Sequence, residues 1–222
     1  GNRLQRVDTP LAVILLAALG WVLVWYIVQA LTRYPDFDGA LNFNVSRALL
    51  EGHGYGSFYE QFRLFPIETQ TNAPLVFPAA LALAAFDFTP FGGQAANLAY
   101  LFAFCLLAGA LLRRARAGLA AAALAVLLAL QVPGMRDFAL NGYGEIPALC
   151  WMLLGMLALL VRIEGGSARW TLLGGAALAV SVLTKTVSLI WFPAVIGVFL
   201  GLRWQREGWR AALRDASLGG LG

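Results

Sequence analysis

Long apolar runs alternate along the chain with short polar interruptions, and the run lengths set the expected architecture. A helix needs about 20 apolar residues, within a range of about 17–25, to cross a bilayer core of about 30 Å. Runs 11–31, 92–112 and 118–132 meet or approach that length, and 146–161 is shorter but uncharged. The run 170–202 is too long for one span, since at about 1.5 Å per residue it would reach about 50 Å. Lys185 interrupts it near its middle. A charge at the bilayer centre costs at least about 2.5 kcal/mol. A hairpin bent at Thr184-Lys185-Thr186 puts that charge at an interface. It also returns Arg203, Arg206, Arg210 and Arg214 to the side of Arg162 and Arg169. The pattern therefore predicts two legs, 170–184 and 187–202.

Two shorter segments read differently. After Asp38, the residues Leu41, Val45, Ala48 and Leu49 fall at i, i+4, i+7 and i+8, the stripe of an amphipathic helix. Asp38 suits its N-cap and Gly52 its stop, so a helix over 39–51 is expected in the membrane plane. The segment 74–86 carries Pro74 and Pro78 and reaches Asp87 after little more than a dozen apolar residues. That length fits a surface or re-entrant helix. A surface position goes with a cytoplasmic N-terminus and a spanning one with an outer N-terminus; arginine counts do not separate them. Both put Asp137, Glu145 and Lys185 on the outer side.

Composition agrees with this pattern. The chain is 60% hydrophobic and 13% charged, with a mean hydropathy of +0.72. Soluble domains run at about 45–50% apolar and about 25% charged. An integral membrane protein is expected, and the net charge of +4 needs no nucleic acid to explain it. Arginine at cytoplasmic helix ends is the cheaper reading. Cys105 and Cys150 lie in apolar runs and read as small hydrophobes. No signal peptide is read, because the run 11–31 is long enough to span and lacks a cleavage site. The start at Gly1 and the closing "RDASLGGLG", read as the opening of another apolar segment, suit a piece of a longer protein, truncated at its C-terminus.

The chemistry concentrates in "YPDFDGALNFNVSRALLEGHGYG", residues 34–56, which holds Asp36, Asp38, Arg47, Glu51 and the one histidine, His53. The spacing of Asp38, Ser46, Arg47, Leu50 and Gly52-His53-Gly54 resembles the first outer loop of the GT-C glycosyltransferases. That superfamily includes protein mannosyltransferases and lipid A aminoarabinose transferase. Three later stretches resemble further family segments in order. "TNAPLVFPAALAL" is similar to its proline-leucine juxtamembrane helix, and "RDFALNGYGEIPALCWMLLGMLALL" to its second outer loop. "LLGGAALAVSVLTKTVSLIWFPAVIGVFL" is similar to its glycine-rich, Leu-Thr-Lys hairpin. The chain departs from the pattern at Gly39, where the family often has Glu, at Asn42, where an aromatic is common, and at Ala73, where a charge is common.

The resemblance implies an all-α polytopic bundle of GT-C type, with juxtamembrane helices in its first outer loop. It implies transfer of a sugar from a polyprenyl-phosphate carrier to a lipid, glycan or protein acceptor on the non-cytoplasmic face, with inversion. Asp38 matches the catalytic base, with Asp36 as the near alternative; capping is the structural reading of Asp38. Glu145 or Asp137 would be the second-loop acid, orienting the acceptor or holding a divalent metal together with Asp38. A charge flanking a helix start is its bland counterpart. Lys185 would offset the leaving phosphate, with Arg47 and Arg136 as further candidates and snorkelling as the alternative. His53 reads as a loop histidine before a ligand. Tyr55, Tyr59 and Trp191 read as interfacial aromatics before sugar platforms. An arginine-rich composition points to a bacterial inner membrane. A non-catalytic subunit of GT-C descent within a larger membrane complex is the rival. A transporter would favour internal repeats, and none is seen.

Overall fold

The computed structural model describes residues 2–59, 63–65 and 73–220, with side chains over 8–56 and 73–220. It falls into two compact units, 1–146 and 147–222. Among the described residues four helices are long and apolar enough to cross a membrane: Asp8–Thr32, Pro90–Arg114, Glu145–Ile163 and Thr186–Glu207. The chain is a helical membrane protein.

The first unit is built on α1 (Asn2–Thr32), α4 (Pro90–Arg114) and α5 (Leu119–Leu130). Two polar ties show that α1 and α5 run parallel. The Ala120 N–H donates to the Asp8 carboxylate at 3.3 Å near their N-termini, and the Tyr26 hydroxyl donates to the Leu130 carbonyl at 3.1 Å further on. The α4 helix runs the other way, since Gln94 near its start donates to the carbonyl of Arg33 at 3.2 Å. The unit therefore has two unlike ends. One holds Asp8 and the α4–α5 turn with Arg113, Arg114 and Arg116; the other holds the polar loops.

At the polar end lie α2 (Phe37–Leu50) and α3 (Ala73–Ala85), with a short antiparallel ribbon, β1 (Ser57–Tyr59) and β2 (Arg63–Phe65), between them in sequence. The α3 helix has 13 residues, about 20 Å of rise, and falls short of the bilayer core. It packs between α2 and α4. Ser46 donates to the carbonyl of Val76 at 3.1 Å, and Tyr100 to that of Pro74 at 2.9 Å. Phe43, Ala79, Leu83 and Ala96 close the contact as one apolar cluster.

The expected span 118–132 needs correction. The α5 helix has 12 residues, a rise of about 18 Å, and stops about 12 Å short of the core's thickness. Pro133, which has no N–H to continue the ladder, and Gly134, at φ 85°, break it. A second segment, α6 (Met135–Leu140), then resumes and packs on α1 and α4. The two segments rise about 18 Å and about 9 Å, with 131–134 between them. Arg136 and Asp137, expected in an outer loop, sit instead on the second segment of a broken helix.

The second unit begins inside α7 (Glu145–Ile163) and continues through α8 (Arg169–Thr184), a 3-10 turn (Thr186–Trp191), α9 (Phe192–Glu207) and α10 (Trp209–Gly219). The α7 and α8 helices are antiparallel, with Ser181 donating to the carbonyl of Ala148 at 2.8 Å. They cross closely: a Cβ on Gly155 would meet Leu178 at 2.8 Å and the Gly174 carbonyl at 3.1 Å. Lys185 adopts an extended backbone (φ −154°, ψ 110°) and breaks the run as expected. The returning leg brings Arg203 to the carboxylate that also holds Arg162, so the arginine-bearing helix ends meet, as the hairpin requires. That leg is longer than expected, 186–207 rather than 187–202. As far as Gly219 the closing stretch is helical. It forms α10, which buries Ala212 and Asp215 and exposes Trp209, Arg210, Leu213 and Arg214.

Candidate functional site at the polar end of the first unit

The α2 helix starts two residues earlier than expected, at Phe37 rather than Gly39. Asp36, not Asp38, is the N-cap: its backbone is extended and its carboxylate accepts from the Gly39 N–H at 2.9 Å. Asp38 falls in the first turn and is exposed; a carboxylate there suits the positive helix end. The correction has a simple cause. Two aspartates two residues apart both satisfy a capping pattern, and Pro35 holds the extended entry that favours the first. The helix ends where expected. Gly52 is left-handed at φ 79°, and the His53 N–H donates to the Ala48 carbonyl at 2.9 Å.

The α2 helix is docked on the segment that precedes Glu145. The Asp36 N–H donates to Asn141 Oδ1 at 3.4 Å, and Asn42 Nδ2 to the carbonyl of Gly142 at 2.6 Å. At Gly39 the approach is so close that a Cβ would stand 1.8 Å from the Asn141 carbonyl oxygen. Asp38 lies one helical turn before Asn42, on the side of α2 that meets this loop. Glu145, three residues past Gly142, is half-buried and opens α7, the helix start expected of it. The first polar stretch and the approach to Glu145 thus share one end of the unit.

The other candidates are spread out. Asp137 is exposed and accepts from Arg136 Nε at 3.3 Å on α6. Arg47 is tied to Glu51 at 2.6 Å and lies over the Phe88 ring at 5.9 Å. Together with Tyr34, Phe43, Asn44 and Phe88 it lines a cavity of about 400 Å³. Phe88 and Asp87 both take left-handed backbones (φ 58° and 51°), uncommon for residues with side chains. His53 is exposed, with Nε2 3.9 Å from Glu51. Tyr55 is half-buried, and burial pushes its phenol up to about 12, so it remains neutral at physiological pH. Lys185 stands at the break between α8 and the 3-10 turn of the second unit, and Trp191 closes that turn, exposed. The side chains of Tyr59 and Arg63 lie outside the described residues. Among the described residues no group of three or more His, Cys, Asp or Glu side chains is placed to hold a metal ion.

No family model, characterised protein or solved structure matches this chain. The residues that hold the two loops together are Gly39, Asn42, Asn141 and Gly142. Sequence reasoning assigned this role to none of the four. Gly39 and Asn42 counted only as departures from the family pattern. Asn141 and Gly142 were visible as a turn signal, "LNGYGE", without an indication of what the turn would touch.

Proposed function

We propose that the chain is a membrane glycosyltransferase of GT-C type. It would move a sugar from a polyprenyl-phosphate carrier to an acceptor hydroxyl on the non-cytoplasmic face. One observation carries this reading: the first turn of α2, with Asp38, is docked on the segment that leads into Glu145. Two carboxylates from distant parts of the sequence thereby come to one end of the unit. In the reaction the acceptor oxygen attacks the anomeric carbon, and its proton passes to Asp38. The bond from that carbon to the carrier phosphate breaks, and the phosphate leaves with the electron pair. Glu145 orients the acceptor. Arg113, Arg114 and Arg116 mark the opposite end as cytoplasmic by the positive-inside rule, which turns the loops outward. A bacterial inner membrane suits such a carrier.

A second reading, a non-catalytic subunit of GT-C descent, draws on Gly39 and Asn42. Both depart from the family pattern, and both are occupied in packing α2 on the second loop. The test uses the protein in membranes with radiolabelled polyprenyl-phosphate sugars of several kinds. Transfer or hydrolysis by the natural chain, reduced at least about 100-fold in Asp38→Asn, is the expected outcome. Full activity in Asp38→Asn removes its role as base. Turnover of none of the donors, with loss of a co-purifying membrane partner on altering α2, favours the subunit.

A further inference from the structure

The break between α5 and α6 lies at a depth where polar backbone is costly. Counted from Gly118, α5 rises about 18 Å before it stops. Counted down from Thr32, Tyr26, which is tied to Leu130, lies six residues or about 9 Å below the end of α1. Both measures put the start of the elbow 131–134 about 9–12 Å below the outer end of a core of about 30 Å. Non-helical backbone at such depth is tolerated only where protein covers it or where it lines a polar cavity.

The elbow does line a cavity. It encloses about 350 Å³ and is walled by Trp21, Trp25 and Tyr26 of α1 on one side and by Gln131, Arg136 and Asp137 on the other. Trp21 is 76% exposed and Trp25 41%, so this wall opens sideways toward lipid, not into the unit. The Arg136–Asp137 pair is exposed as well and uses only the Nε donor of Arg136, one of five N–H groups on a guanidinium. An arginine just outward of the break, near the end of α1 and beside aromatic rings at the mouth of a lateral opening, has the chemistry to receive a phosphate. The rings and the apolar flank of α1 suit the chain that follows it.

We propose that the notch between α1 and the α5–α6 elbow binds the phosphate headgroup of a membrane lipid that enters sideways from the bilayer, with Arg136 on the phosphate and Gln131 and Asp137 on neighbouring hydroxyls. The site stands whether or not the protein transfers a sugar. It needs neither Asp38 nor Glu145, so its failure and that of the transferase reading are separable.

The test is native mass spectrometry of the full chain released from detergent with added lipid. The arms are phosphatidylglycerol, polyprenyl phosphate, and the uncharged diacylglycerol and polyprenol. Retention of either phosphate lipid at least tenfold above its uncharged counterpart is expected, and which phosphate lipid is retained identifies the source. Arg136→Gln should lower that retention at least tenfold, while Arg114→Gln at the other end leaves it unchanged. Because Arg136→Gln could unfold the elbow, the natural protein is also labelled with a photoreactive phosphate lipid. Crosslinks within 21–26 and 131–137 are expected. Equal retention of charged and uncharged lipids overturns the proposal, as do unaltered retention in folded Arg136→Gln and crosslinks confined to other segments.

Discussion

At the scale of single residues, the joint between the two polar loops depends on an absence and an amide. Gly39 has no room for a side chain, because the Asn141 carbonyl occupies the place a Cβ would take at 1.8 Å. Backbone cannot swing aside as the end of a flexible side chain can. Gly39→Ala is therefore expected to push α2 off the loop at a cost of about 1–3 kcal/mol. Hydrogen exchange over 36–50 should rise in that variant while α1 and α4 keep their protection; unchanged exchange would show that the loop gives way instead. Asn42 contributes a single hydrogen bond to the Gly142 carbonyl. Asn42→Ala should cost about 1 kcal/mol by itself and close to nothing in the Gly39→Ala background, where the contact is already lost. Additive losses in the double variant would mean that the two residues act separately. These roles were hidden in the sequence for a physical reason. Gly39 and Asn42 carry no hydrophobic signal, and their importance comes wholly from Asn141 and Gly142, about a hundred positions away. Asp36 and Asp38 were legible as capping residues, but spacing alone could not choose between them.

At the scale of elements, run length proved informative where a segment is uniform, and misleading where one is interrupted. The long apolar runs became α1, α4 and α7 with little revision, and the single lysine marked the break between α8 and the returning leg. The run 118–132 looked like an entire span because its composition hides the break. Pro133-Gly134 ends the first segment, and the polar pair Arg136-Asp137 begins the second, which a hydropathy count scores as loop. The α10 helix escaped notice because its apolar face is narrow and its buried face carries an acid. Asp215 is fully buried and accepts from Arg162 Nε at 3.0 Å and from Arg203 Nε at 2.8 Å, and Arg203 is also paired with Glu207. Removing the carboxylate leaves two buried guanidinium groups without their shared partner. Asp215→Ala is expected to cost about 3–5 kcal/mol, as removal of one member of a buried ion pair does. Limited proteolysis should then cut at the Gly208 joint before it cuts elsewhere. Joint replacement of Arg162, Arg203 and Asp215 by Met, Leu and Leu should restore much of the loss, since an apolar cluster of similar volume needs no charge balance. A triple variant as labile as Asp215→Ala would instead assign the arginines a structural role beyond holding the acid.

At the scale of the whole first unit, the decisive matter is which residues share a side of the membrane. Positive-inside counting could not choose between a surface and a spanning course for the segment after the first loop. The structure narrows the choice by length and contact. The α3 helix rises only about 20 Å, and α2 beside it touches the segment before Glu145. The polar loops therefore belong to one end, and Arg113, Arg114 and Arg116 to the other. Single cysteines test this directly in a background with Cys105 and Cys150 replaced by alanine; both native thiols are buried within helices. Cysteine at Glu51, at Tyr143 or at Arg114 should report the two ends, with Glu51 and Arg114 exposed and Tyr143 half-buried. A membrane-impermeant maleimide added to intact cells should label positions 51 and 143 together and leave 114 unlabelled until the membrane is opened. The 51 and 143 rates should change together in Gly39→Ala, because one joint controls access to both. Labelling of 51 and 114 from the same side would separate the first loop from the second, and the carboxylates proposed to act together would then face different compartments.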